Sequence, residues 1–171
     1  LAELEYNANS ESRKLLKIRA KLSKGRQNLP EMMYEDMADG VESDLNKANL
    51  LAFLKEHKDQ KPFLVFTPDI KSANKWADFL NESGYEFKSI SGEMPKVERE
   101  EIYRQLREGE LDGVTNCALL TYGFDLPCAK TVVLIRNIRS RSLYIQTIGR
   151  ILRPYENKKA VVYDMGGSNW N

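Results

Sequence analysis

Residues 131–164 read TVVLIRNIRSRSLYIQTIGRILRPYENKKAVVYD, and the fold turns on how this stretch is read. Thr131 to Ile135 is a continuous apolar run rich in β-branched residues, which suits a strand buried on both faces. A loop with Arg136, Arg139 and Arg141 follows. Gln146-Thr147-Ile148-Gly149-Arg150-Ile151-Leu152-Arg153 then reads as the body of a short helix opening near Ser140 or Ser142. Hydroxyls there can cap orphan backbone N–H groups, and Pro154 disfavours continuation. Ala160 to Tyr163 is a second apolar run, ending at Asp164. Arg150 and Arg153 are three apart, so both guanidinium groups leave one helix face, with Gln146 one turn earlier. Two fixed arginine forks suit a polyphosphate better than a carboxylate. A bare R-x-x-R is more simply a pair of solvated arginines. The full Q-x-x-G-R-x-x-R, set between two buried strands, favours the ligand.

Upstream the same alternation repeats. Phe63-Leu64-Val65-Phe66-Thr67 is a buried strand ended by Pro68. Ala73, Trp76, Ala77 and Leu80 follow at helical spacing, with Gly84 as a stop, and Trp76 is read as core. Phe87 to Ser91 is a further strand, and Ser91-Gly92 makes a turn. Pro95 suits a helix start, and Val97, Ile102, Tyr103 and Leu106 supply its apolar face before Gly109. Gly113-Val114-Thr115-Asn116 is the next strand. Strands alternating with helices predict an α/β fold, a parallel sheet with helices on both faces. Sites in such folds gather at the strand carboxyl ends. Thr67, Gly92, Thr115, Asn116, Arg136 and Asp164 fall there.

Residues 1–58 carry no strand pattern and read as a helical connector, leaving 59–171 as the α/β lobe. Leu15, Ile18 and Leu22 form one stripe. A second helix starts at Ser43 or Asp44 and carries Leu45, Ala48, Leu51 and Ala52. Seven basic residues and no acid lie between Arg13 and Arg26, and six acids and no base between Gln27 and Asn46. The two blocks can pair with each other, or the basic one can approach a phosphate backbone.

The 171 residues are 42% apolar and 30% charged, with a net charge of +1, which allows one core and names no partner. No apolar run approaches the roughly 18–20 residues of a membrane span, so no membrane is expected. Two cysteines, Cys117 and Cys128, make neither a disulfide framework nor a metal spacing, and no metal site is expected. A reducing, cytoplasmic setting is the default expectation. The single histidine, His57, is read as a surface residue. The chain opens on Leu1 rather than Met, which reads as a fragment of something longer, and its polar, mixed-charge first residues show no signal-peptide pattern.

Leu120-Thr121-Tyr122-Gly123-Phe124-Asp125-Leu126-Pro127 sits just past the third strand. Gly123 permits close backbone approach, and Asp125 is a fixed acceptor able to hold a ribose hydroxyl or simply to cap its own turn. In order, strand, G-F-D-x-P turn, strand, basic loop and Q-x-x-G-R-x-x-R resemble motifs V and VI of the superfamily-two helicases and translocases. The match is closest to the DNA-directed branch of repair, transcription and restriction enzymes. Gln146 in place of histidine points away from the DEAD-box RNA helicases. Phe63 to Thr67 resembles motif IV, and Ser91-Gly92-Glu93-Met94-Pro95 followed by Arg99 resembles the turn with motif IVa. The resemblance covers about residues 44–171 and implies a RecA-like second lobe.

Neither G-x-x-x-x-G-K-[ST] nor an acidic D-E-x-[DH] box occurs, and in this family both belong to the first lobe. The resemblance therefore implies that ATP and Mg²⁺ bind only with an N-terminal RecA-like lobe of the same polypeptide. It further implies that Arg150 and Arg153 reach the β/γ-phosphates, Arg153 as arginine finger. Gln146 would contact the phosphates or the attacking water, and Gly123 and Asp125 would border the nucleotide. Thr67, Gly92, Arg99, Thr115 and Asn116 would touch the backbone of a nucleic acid, DNA rather than RNA. The isolated chain would hydrolyse no ATP. The competing expectation is a non-catalytic nucleic-acid-binding or regulatory module on the same fold.

Overall fold

A buried parallel strand leaves no polar face, and all but one of the five strands here are buried along their whole length. The computed structural model describes residues 44–117, 128–135, 145, 148 and 160–165. Within them α1 (Asp44–Glu56) leads through a 3₁₀ turn (Lys58–Gln60) into β1 (Phe63–Phe66). Then come α2 (Ile70–Glu82), β2 (Phe87–Ile90), α3 (Lys96–Glu108), β3 (Gly113–Asn116), β4 (Thr131–Leu134) and β5 (Val161–Asp164). The sheet order is β2-β3-β1-β4-β5, and every neighbouring pair is parallel. Each strand predicted from sequence is present.

Strand period two divides the core in half. Leu64, Phe66, Ile90, Val114, Val132, Leu134 and Val162 face one way and pack with Ile102 and Leu106 of α3 and with Ile148. Phe63, Val65, Phe87, Val133, Ile135, Val161 and Tyr163 face the other way, toward α1 and α2. Helices thus cover both faces.

α2 is fixed by its sequence at both ends. The Asp69 carboxylate accepts from Ser72 N at 2.6 Å, satisfying one orphan donor. Gly84, at φ +91°, takes the left-handed turn beyond its last residues. Between them Ala73, Trp76, Ala77 and Leu80 are buried, and Trp76 is core, as read from its spacing. α3 ends the same way, on Gly109 at φ +76°.

Two helix faces differ from the sequence reading. Val97 is 80% exposed, so the buried stripe of α3 is Ile102 and Leu106, with Tyr103 half-buried. Five residues at about 100° each put Val97 some 140° away from Ile102. In α1 the buried apolar residues are Leu50, Phe53 and Leu54, while Ala48 and Ala52 are exposed. Both stripes have helical spacing, and burying three large side chains removes more apolar area than burying alanines. Phe53 stacks on Tyr163 of β5 at 4.3 Å between ring centroids, so α1 packs into the lobe itself. His57, expected at the surface, is half-buried and stacks on Phe53 at 4.2 Å.

Candidate functional site at the strand carboxyl ends

Five parallel strands place all their carboxyl ends along one edge. Its crevice lies where neighbouring strands send the chain to opposite faces. β1 continues into α2 on one face, and Ile148, in the stretch that follows β4, packs on the other. β1 and β4 are neighbours, so the crevice opens between them.

The strand ends there are polar and yet buried. Thr67, Thr115 and Asn116 are 0% exposed and Asp164 is 1%. Burying such groups is unfavourable unless they are hydrogen-bonded, and the two threonine hydroxyls and the Asn116 amide nitrogen are. The Thr67 hydroxyl has its one proton within reach of two carbonyls, Asp69 O at 2.9 Å and Asn116 O at 3.1 Å. The Thr115 hydroxyl donates to Ala73 O at 2.7 Å, and Asn116 Nδ2 donates to Val65 O at 3.1 Å. The Cys117 thiol reaches Pro68 O at 3.5 Å. Asn116 Oδ1 is buried and has no hydrogen-bond partner among the described residues.

Three of the five expected nucleic-acid contacts, Thr67, Thr115 and Asn116, are therefore brought together by the β1–β3 pairing. Their side chains point inward, into the connection between β1 and α2. Gly92 and Arg99 lie one strand over, on the exit of β2, which pairs with β3 through Ile90 and Asn116. Both are half-buried. Burial pushes the Tyr103 phenol above its ordinary value, and the Arg99 charge draws it partly back. Pro68, Asp69, Ile70 and Lys71 form the exposed rim of the β1–α2 connection. Sequence reading did not single out Lys71 or Cys117. The only signal for Cys117 was its place directly after a polar strand end.

Gln146, Arg150, Arg153, Gly123 and Asp125 lie outside the described residues. Ile148, between Gln146 and Arg150 in sequence, is helical and 5% exposed. Cys117 follows the carboxyl end of β3 and Cys128 precedes the amino end of β4, so the two thiols sit at opposite edges of the sheet.

The profile of the helicase conserved C-terminal domain matches residues 46–155. The chain belongs to that family. Among curated relatives, "Putative ATP-dependent helicase IRC3" of Saccharomyces cerevisiae is 30% identical over 117 residues, 67% of this chain and 17% of that protein. UvrABC system protein B of Edwardsiella ictaluri is 32% identical over 139 residues, 78% of this chain and 20% of the relative. The chain thus spans about a fifth of the length of these relatives. Among solved structures, the C-terminal part of the Fun30 ATPase domain superposes with a TM-score of 0.64 at 18% identity, covering 90% of this chain and 48% of that one, a likeness of fold. The E. coli DEAD-box protein SrmB, solved bound to regulator of ribonuclease activity A, superposes with a TM-score of 0.60 at 25% identity over 70% of this chain and 68% of that one. This helicase C-terminal lobe is of the superfamily-two type, with the RecA-like sheet expected from the alternation of its strands and helices. No helix among the described residues is long and apolar enough to cross a membrane.

Proposed function

We propose that this lobe is the second motor half of an ATP-dependent DNA helicase or translocase, supplying the arginine finger and part of the nucleic-acid track. The observation that carries the reading is the order of parts. A G-F-D-x-P turn, a buried strand and Q-x-x-G-R-x-x-R follow one another in a chain whose family is the helicase C-terminal domain. ATP and Mg²⁺ are held with an N-terminal RecA-like lobe that carries the phosphate loop. Gly123 and Asp125 border the nucleotide. Arg150 and Arg153 reach its β/γ-phosphates, and Arg153 meets the charge that develops as the phosphoryl group is transferred. Gln146 orients the attacking water or the phosphates. Gln146 in place of histidine is what favours DNA over RNA.

Gly92, Arg99 and the rim at Lys71 meet the strand through its phosphates, a contact that positions without reading sequence. The inward side chains of Thr67, Thr115 and Asn116 serve the track by shaping it. Closing and opening of the cleft between lobes then moves the strand.

Arg153→Ala in the two-lobe enzyme tests the reading. A finger acts in the transition state, so nucleic-acid-stimulated kcat should fall by a factor on the order of 10³ or more while ATP binding weakens little. Lysine should restore little, because a point charge lacks the fork. A kcat within a few-fold of wild type, at unchanged Tm, would remove Arg153 from this role. The lobe alone should show no ATPase activity, and turnover by the isolated chain would refute the two-lobe requirement.

A further inference from the structure

Three consecutive residues at the end of β3 each bond, through the side chain, to a backbone carbonyl of one other segment. Thr115 reaches Ala73 O, Asn116 reaches Val65 O and Cys117 reaches Pro68 O. Thr67 returns the contact, with its hydroxyl within reach of Asn116 O at 3.1 Å and its backbone N–H donating to the same oxygen at 2.8 Å. The span held in this way runs from the end of β1 through the first turn of α2. Its outer side is the exposed rim Pro68, Asp69, Ile70 and Lys71.

Strand pairing alone does not require these bonds. Valine at 115 would fill nearly the same volume and favour a strand more. The N-terminus of α2 is already capped by Asp69, so the clamp is not needed to start the helix. The bonds instead remove a freedom: the β1–α2 turn cannot shift without the end of β3. The chain that leaves β3 leads within a few residues to Gly123 and Asp125.

We propose that Thr115, Asn116 and Cys117 are positioning residues that clamp the β1–α2 turn to the end of β3, so that nucleic-acid contact at the turn is transmitted to the nucleotide side. This rests on the helicase reading above. It assigns Thr115 and Asn116 an action through the turn rather than on the phosphate backbone itself.

The test uses the two-lobe enzyme with Thr115→Val, which keeps shape and deletes the donor, and Thr115→Ser, which keeps the donor. Two readouts are taken. Hydrogen exchange at the amides of 67–73 should quicken at least several-fold in Thr115→Val and stay near wild type in Thr115→Ser. Single-strand-stimulated ATPase should fall roughly ten- to a hundredfold in kcat at saturating strand in Thr115→Val, the scale of a misplaced contact. The Kd for the strand should change less than about threefold, about half of the 1.4 kcal/mol that a tenfold change represents. Thr115→Ser should recover most of the kcat. A Kd raised tenfold or more, with kcat restored at saturation, would make Thr115 a direct ligand and overturn the proposal. Unchanged exchange at 67–73 would overturn it too, as would an unaltered kcat. A wild-type enzyme that no strand stimulates would refute the helicase reading instead, and the exchange comparison would still decide whether the clamp exists.

Discussion

Replacing Gly113 by alanine sets a methyl group against two neighbours at once. Gly113 opens β3 and lies between Phe63 of β1 and Phe87 of β2, its partners in register on either side. The two phenyl rings run parallel, within 6°, at 6.4 Å between centroids. A Cβ built on Gly113 would lie 2.4 Å from Phe63 O and 2.7 and 2.8 Å from two ring carbons of Phe87. A relaxed carbon–oxygen contact is about 3.3 Å or longer, so the overlap with the carbonyl is roughly an ångström. The Phe87 ring could swing aside, at the expense of its packing. The Phe63 carbonyl belongs to the β1 backbone and can retreat only if β1 and β3 separate where their pairing begins.

Overpacking a dense core is unfavourable by about 1–3 kcal/mol, and a backbone partner puts this case near the upper end. Alanine also restricts the unfolded chain, which offsets about 0.4–1 kcal/mol. The net loss is then about 2 kcal/mol. For a chain of this size that lowers Tm by about 4–8 °C. Gly113→Val, with two more carbons at the same place, should lower it further or prevent folding. Thermal unfolding followed by circular dichroism measures both. A Gly113→Ala protein melting within about 2 °C of wild type would show that β1 and β3 yield freely here, and the close approach would lose its meaning.

Other changes probe separate devices. Asn81 donates to Phe87 O at 3.0 Å and accepts from Phe87 N at 2.7 Å, securing the start of the edge strand β2. Asn81→Leu should destabilise by about 1–2 kcal/mol, read by urea unfolding, and faster exchange should be confined to the start of β2. Gly109, in the left-handed region with open space around its Cβ position, should tolerate asparagine better than alanine, alanine losing about 1 kcal/mol by the same assay. Arg104 donates to Glu101 and Glu110, and these bonds hold both carboxyls below their ordinary value of 4.5. A folded-state pKa lowered in this way contributes stability above the carboxylate range and loses it as pH falls below that range. Arg104→Met should flatten the fall of Tm with acid below about pH 4.5, by an amount that shrinks in high salt because the cluster is at the surface.

The strands were legible because parallel strands buried on both faces leave unbroken apolar runs, as in Phe63–Phe66 and Thr131–Leu134. Helix stops were legible because Gly84 and Gly109 supply backbone angles that other residues resist. Helix faces were less so. Alanine and large apolar residues count alike in a periodic pattern, while the area they bury does not, and that is why the stripe of α1 fell on Leu50, Phe53 and Leu54. The clamp had no periodic signal. Thr115 and Asn116 drew notice as polar residues at a strand end, but their partners are some 40 to 50 residues away in sequence. Gly113 carried only the hint that a glycine in a strand marks close approach, and what approaches became visible with the pairing of β1 and β2 to β3.

The two ends of the sheet divide stability from function. At the amino end Asp112 pairs with Lys61 and accepts from Glu86 N, Thr131 bonds Gln60 O, and two phenyl rings close over Gly113. The partners named there hold the strand starts in register and present no polar group toward a ligand. At the carboxyl end Thr67, Thr115 and Asn116 are fully buried, and their side chains hold a connection rather than a strand start. The asymmetry separates the effects of substitution. Changes at Gly113 should lower Tm and leave the turnover of the surviving folded enzyme intact, because the register they disturb lies at the far end of the sheet. Changes at Thr115 should do the reverse, and a Thr115→Val enzyme that melted several degrees early while keeping full stimulated turnover would show that both ends serve the fold alone.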